Sequence, residues 1–192
     1  MRYCVFCGSS VGARSEYLAT ARELGATLAR RGIGLVYGGS NVGLMGELAD
    51  AALSAGGHVI GVIPEALVEA EVAHPSLSEL RVVESMHARK SLMAELSDGF
   101  MALPGGIGTL EELLEILTWA QLGVHRHPCG VIDVGGYFED LQRLLHHAVD
   151  ERFLRAEHRD MLMFADSVDG LLERFESYTP PTLEKWIERS AT

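Results

Sequence analysis

Between Gly99 and Glu115 a short apolar run, Gly99-Phe100-Met101-Ala102-Leu103, passes through Pro104-Gly105-Gly106-Ile107-Gly108-Thr109 into residues with helical spacing. Leu110, Leu113, Leu114 and Leu117 recur at i, i+3, i+4, i+7. That is one face of a helix, expected to pack on a sheet. A strand that turns through glycines into a helix leaves backbone N–H groups free at the helix N-terminus, an arrangement that favours an anion, most often a phosphate. Glu111, Glu112 and Glu115 crowd the first turns of the same helix. Acids there offset the helix dipole at roughly 0.3–1 kcal/mol each, which accounts for Glu111 and Glu115. Glu112 points away from the leucine stripe, toward the side that carries Ile116 and Trp119. It is therefore expected to border a buried surface beside the anion-binding turn, an environment that marks a functional carboxylate.

The rest of the chain repeats the alternation of strand and helix. Arg2–Cys7 reads as a buried strand, and Cys4 and Cys7, three apart in extended chain, face opposite sides rather than forming a redox pair. Gly8-Ser9-Ser10 follows at its C-terminal end, and Ala13–Arg31 is a helix with Leu18, Ala21, Leu24, Gly25 and Leu28 inward. Ile33–Tyr37 is a second strand. Gly38-Gly39-Ser40-Asn41-Val42-Gly43 is a second glycine turn, matching neither a dinucleotide fingerprint nor a P-loop, and leads into a helix over Leu44–Ala55. His58–Ile63 is a third strand, broken by Pro64; Glu65–Ser78 is mixed; Leu80–Val83 is a fourth strand. Ser85 is placed to cap a helix reaching about Ser97. Arg89 and Lys90 fall in its first turns, where the dipole gives cations no stabilisation, so they are expected to meet an anion. After the central motif, Val124-His125-Arg126-His127 reads as a polar loop and Pro128–Val134 as strand six. Phe138–Glu151 is a helix with Leu141, Leu144, Leu145 and Ala148 inward, Met161–Ala165 strand seven, and Val168–Phe175 the last core helix. Residues 1–179 are then one Rossmann-like α/β domain, and 180–192, opening on Pro180-Pro181, a short tail with Leu183–Arg189 helical. The pattern predicts a doubly wound parallel sheet of about seven strands covered on both faces. The turns after strands one, two and five would converge where the strand order reverses.

Composition narrows the function. A net charge of −11 argues against nucleic acid or an anionic membrane as partner. No apolar run approaches the roughly 20 residues of a membrane span. Three cysteines and an N-terminus without a signal-peptide layout suit the cytoplasm. No His, Cys and carboxylate cluster has metal-ligand spacing, so no metal is expected.

Pro104-Gly105-Gly106-Ile107-Gly108-Thr109-Leu110-Glu111-Glu112 resembles the PGGxGTxxE motif of the LONELY GUY (LOG) family, many of whose members once carried the label lysine decarboxylase. Cys7-Gly8-Ser9-Ser10, Tyr37-Gly38-Gly39 with Gly43-Leu44-Met45-Gly46, Met86-His87-Ala88-Arg89-Lys90 and Thr118-Trp119-Ala120-Gln121-Leu122-Gly123 resemble family blocks in family order. The resemblance implies a hydrolase that splits N6-substituted adenosine 5′-monophosphates into free base and ribose 5-phosphate without metal or cofactor. It implies Arg89 and Glu112 as catalytic residues. For the nucleoside monophosphate it implies contacts from Gly8, Ser9, Gly38, Gly39, Gly43, Met45, Gly46, Met86, Lys90, Pro104, Gly105, Gly106, Gly108 and Thr109. Whether Arg89 serves the leaving base, the phosphate or the geometry of Glu112 stays open, as does the N6 group, for which Met45, Met86 and Trp119 are candidates. A homodimer through the 108–123 helix is also expected, with Ile116, Trp119 and Ala120 outward. The alternative is a non-catalytic nucleotide or molybdenum-cofactor carrier. A pyridoxal-phosphate decarboxylase needs a Schiff-base lysine, and the chain holds only Lys90 and Lys185.

Overall fold

The computed structural model describes residues 1–68 and 73–181. Its seven strands are β1 (Arg2–Phe6), β2 (Gly34–Tyr37), β3 (Val59–Pro64), β4 (Glu79–Val83), β5 (Phe100–Ala102), β6 (Cys129–Ile132) and β7 (Leu162–Ala165). They form one sheet in the order β4-β3-β2-β1-β5-β6-β7, with every neighbouring pair parallel. The chain begins at the centre, builds outward to β4, then returns to the other flank of β1. The order therefore reverses between β1 and β5, where Phe6 pairs with Ala102, and a crevice opens beyond the carboxyl ends of those strands.

Apolar side chains alternate across the sheet because successive residues of a strand face opposite ways. Tyr3, Val5, Leu35 and Met101 face one layer, with helices α1 (Ser15–Arg30), α2 (Gly43–Ser54) and α8 (Val168–Glu176). Cys4, Phe6, Val36, Phe100 and Ala102 face the other, with α4 (Met86–Glu95), α5 (Ile107–Leu122) and α6 (Glu139–Asp150). Single turns α3 (Glu65–Val68) and α7 (Ala156–Arg159) complete the helices. Cys4 and Cys7 lie buried in opposite layers, as the extended spacing requires. Ser85 caps α4, its hydroxyl accepting from the Ala88 N–H at 3.1 Å.

Four local expectations are corrected. The buried line of α5 is Thr109, Leu113, Ile116 and Ala120, whereas Leu110 and Leu117 are half-buried and Leu114 is exposed. The helix is turned by roughly 80° from the leucine stripe, at about 100° per residue. Its start is fixed by Thr109, whose side chain packs so closely on Gly105 that a Cβ there would overlap it. The exposed apolar residues of the helix are consequently Ile107, Leu114 and Leu122, not Ile116 and Ala120. In α6 the inward line is Leu141, Leu145 and Ala148, and Leu144 is 61% exposed, one residue off that line. Pro64 ends β3 as its last paired residue rather than breaking it, a position that asks little of the missing N–H. Glu111 and Glu115 are ion-pair partners of Lys90 rather than simple dipole offsets. The tail helix expected at Leu183–Arg189 lies outside the described residues.

Helices α1 and α2 cross so closely that a Cβ on Gly25 would overlap the Leu48 carbonyl oxygen. In a helix exchanging Gly for Ala normally gains up to about 1 kcal/mol, while overpacking costs about 1–3 kcal/mol. The obstacle here is backbone, so Gly25→Ala is expected to lower the stability measured by urea unfolding by about 1 kcal/mol or more. A variant more stable than wild type would contradict this packing.

Candidate active site

Three turns meet at the crevice. The Gly8 N–H donates to the Pro104 carbonyl at 3.1 Å, and the Gly8 carbonyl accepts from the Leu44 N–H at 3.0 Å. The turn after β1 is thus tied both to the turn after β5 and to the start of α2. Contacts this close leave no room for side chains. A Cβ on Gly43, which has a φ of +60°, would overlap the backbone of Ser9, and one on Gly105 would overlap Thr109. Gly46 is required for a more local reason, since a Cβ there would meet the Asn41 carbonyl.

Gly106 stands at the N-cap of α5 and supplies no side-chain cap. The first N–H groups of a helix have no partner within it, so those of Ile107, Gly108 and Thr109 face outward from the dipole's positive end. Beside them lies a cleft of about 270 Å³ lined by Gly8, Ser9, Ser10, Pro104, Gly105, Gly106, Tyr17 and Tyr137. This is an anion-binding arrangement.

Arg89, one turn into α4, is 5% exposed. Its Nε donates to the Val62 carbonyl and its Nη2 to the Gly38 carbonyl, both at 3.1 Å. Nη1 lies 3.8 Å from the Met86 sulfur and 3.9 Å from Glu112 Oε1. Gly38 is glycine for the guanidinium's sake: a Cβ would occupy the place of Nη2. The Glu112 side chain is 13% exposed, bordering the buried face of α5 as its spacing suggested. The 3.9 Å gap makes this a charge pair and not a hydrogen bond. Burial, and then the Glu112 charge, push the Cys7 thiol far up, so it stays protonated and is no nucleophile.

Lys90 sits differently from Arg89. Its ammonium lies 2.5 Å from Glu111 Oε1 and 2.9 Å from Glu115 Oε2, tying α4 to α5. Burial pulls its pKa down, but the hydrogen bonds and charges of the two carboxylates outweigh that and raise it overall. Lys90 therefore has local carboxylate partners in place of an open anion site. It is the one lysine among the described residues, and a Schiff-base lysine must shed its proton, so the residues do not fit pyridoxal phosphate. Among the described residues no group of three or more His, Cys, Asp or Glu is placed to hold a metal ion.

Of the other expected contacts, Gly8, Ser9, Pro104, Gly105 and Gly106 line the cleft, and Gly108 and Thr109 form the first turn of α5. Gly38 and Met86 meet the Arg89 guanidinium, and the Met45 sulfur closes over Gly38 from beside it. Gly39 backs the second turn, with a φ of +81°. Two residues escaped sequence reading. His74, buried, donates its backbone N–H to the Gly39 carbonyl at 2.9 Å and sets its ring 3.0 Å from Asp50. It sits in a stretch without periodicity and gave no signal. Tyr137, whose hydroxyl donates to the Gly105 carbonyl, did leave one. It follows two glycines at the carboxyl end of β6, the sheet edge at which ligands collect.

A family model described as "Possible lysine decarboxylase" matches residues 45–175. A probable cytokinin riboside 5′-monophosphate phosphoribohydrolase of Oryza sativa subsp. japonica is 49% identical, over 93% of this chain and 79% of that protein. A cytokinin riboside 5′-monophosphate phosphoribohydrolase of Arabidopsis thaliana is 48% identical, over 93% of this chain and 84% of its own. Among solved structures, the molybdenum cofactor carrier protein of Chlamydomonas reinhardtii has a TM-score of 0.67 at 23% identity, over 92% of this chain and 96% of that one. The molybdenum cofactor binding protein of Rippkaea orientalis reaches 0.69 at 24%, over 92% and 95%. At such identity these two share the fold and no more. Near half identity over almost the whole length is a different matter, and on it the chain belongs to the LONELY GUY family, whose model carries the decarboxylase description.

Proposed function

We propose that this protein hydrolyses the N-glycosidic bond of N6-substituted adenosine 5′-monophosphates, releasing the free base and ribose 5-phosphate. The observation that carries the reading is a buried Arg89 facing Glu112 across 3.9 Å, beside the uncapped N-terminus of α5. Glu112 lies about 6 Å along the axis from Gly108 at about 1.5 Å per residue. A 5′-phosphate held on the first N–H groups would thus bring its ribose to the carboxylate. Breaking the bond builds positive charge on the sugar, resembling an oxocarbenium ion. Glu112 is placed to stabilise that charge and to orient a water or the ribose hydroxyls. The water oxygen bonds to the sugar's anomeric carbon, the bonding electrons leave with the base, and a proton neutralises it. Arg89, fixed by two carbonyls, is rigid enough to hold Glu112 in place or to meet the departing base. The named activity of the half-identical relatives supports this reading. A carrier, the alternative suggested by fold likeness, has no need of a buried arginine set against a carboxylate.

The same reading extends to setting and assembly. Cys4, Cys7 and Cys129 are buried free thiols, Cys129 pushed up to about 12 by burial, which suits a reducing cytoplasm. No described helix is long and apolar enough to cross a membrane. The working unit in this proposal is a homodimer through the outer face of α5, where Leu114 is 39% exposed between half-buried Leu110 and Leu117. Ile107, Leu114 and Leu122 are exposed on the same helix, and apolar residues grouped beside a site fit an interface.

Ribose 5-phosphate release from AMP and N6-isopentenyl-AMP tests the reaction. Glu112→Gln is expected to keep the fold and lose turnover by a factor of about 10² or more. Arg89→Ala is expected to be nearly inactive, and a higher KM with kcat intact would make Arg89 a binding residue only. Wild-type turnover in Glu112→Gln would remove the carboxylate from the chemistry. Light scattering tests assembly: wild type is expected to be dimeric and Leu114→Glu shifted toward monomer. A monomeric, fully active wild type would contradict the dimer.

A further inference from the structure

The Gly105–Gly106 peptide is the hinge of the anion-binding turn, and nothing in its own side chains holds it. Both residues lack a Cβ, so the plane between them can rotate with little steric resistance. Its orientation matters, because in a trans peptide the N–H and C=O point opposite ways, and the described chain has no cis bonds. Turned over, the unit would take the Gly105 oxygen off the Tyr137 hydroxyl and reset the N–H of Gly106, the N-cap residue of α5 that lines the cleft. Gly105 itself is wedged between Gly8 and Thr109. Its carbonyl is held from outside, by the Tyr137 hydroxyl 32 residues further along the chain.

Tyr137 is built to do this. Gly135 and Gly136 both have left-handed φ, +61° and +76°, which brings the chain sharply round after β6. The turn is locked at both ends. The Arg14 guanidinium donates to the Gly135 carbonyl at 3.0 Å, and Asp133 Oδ1 accepts from the Phe138 N–H at 2.7 Å. The Tyr137 ring meets Tyr17 edge-on at 5.9 Å and Phe138 at 5.0 Å. Tyr17 and Tyr137 also wall the cleft beside Gly105 and Gly106. The ring thus has a fixed seat and its hydroxyl a single backbone acceptor on the turn.

We propose that Tyr137 is a positioning residue for the 5′-phosphate: by pinning the Gly105 carbonyl it keeps the glycine turn set for an anion, and so governs affinity for the phosphate-bearing half of the substrate rather than bond cleavage. This rests on the hydrolase reading for the identity of the ligand, though not for the geometry. The test is calorimetric titration of ribose 5-phosphate into wild type, Tyr137→Phe and Arg14→Ala, alongside kinetics on AMP and thermal melting. A net hydrogen bond of about 0.5–1.5 kcal/mol corresponds to a roughly 2- to 12-fold change. Tyr137→Phe is expected to weaken ribose 5-phosphate and raise KM for AMP by a factor in that range, with kcat within about twofold. Arg14→Ala, which loosens the turn and keeps the hydroxyl, is expected to give a smaller loss of the same kind. Unchanged affinity in both variants overturns the proposal, as does a lower melting temperature with affinity intact, which would make Tyr137 structural. A wild type that binds ribose 5-phosphate and cleaves no nucleotide overturns the hydrolase reading alone, and the two variants' affinities still decide the role of Tyr137.

Discussion

A guanidinium that is 5% exposed needs partners on every side, and the site is arranged round that requirement. Arg89 takes the Gly38 and Val62 carbonyls and faces Glu112, so a residue on α4 joins the ends of β2 and β3 to α5. Each partner constrains its own surroundings. Residue 38 can carry no side chain, Ser85 must start α4 where it does, and α5 must leave its turn with Glu112 on the guanidinium side. Removing one member of a buried charge pair typically costs about 3–5 kcal/mol, which is enough to fix one conformation. Arg89 Nη1 and Glu112 Oε1 themselves stand 3.9 Å apart, a charge pair across the seam between α4 and α5.

The glycines form the second part of the arrangement. Gly8, Gly43 and Gly105 bring the turns at the carboxyl ends of β1, β2 and β5 closer than side chains would permit. Strand order reverses between β1 and β5, so the N-terminus of α5 emerges over a crevice instead of over a neighbouring turn. Lys90, bridging Glu111 and Glu115, then fastens α4 against α5 and fixes the distance between the arginine and the glutamate they carry.

Much of this was legible in the chain, and the limits are instructive. Both glycine turns, the Ser85 cap, the split of Cys4 and Cys7 between layers and the half-buried place of Glu112 follow from local periodicity and turn chemistry. The rotation of α5 did not follow, because its leucines form so wide a stripe that several rotations bury apolar surface equally well. What decides is the seat of Thr109 against Gly105, next to Gly8, a residue about a hundred positions away in the chain. The partners of Lys90 and the reach of Tyr137 to Gly105 are contacts between elements, which no window of neighbouring residues contains.

The central claim is spatial: one anion site at the start of α5 and one reacting sugar at Glu112. The structure of the protein with ribose 5-phosphate bound tests it most directly. The account predicts the phosphate on the N–H groups of Ile107, Gly108 and Thr109, with the ribose hydroxyls within hydrogen-bond reach of Glu112 and the anomeric carbon on the side of Arg89. A phosphate bound elsewhere, or a sugar directed away from Glu112, would contradict it.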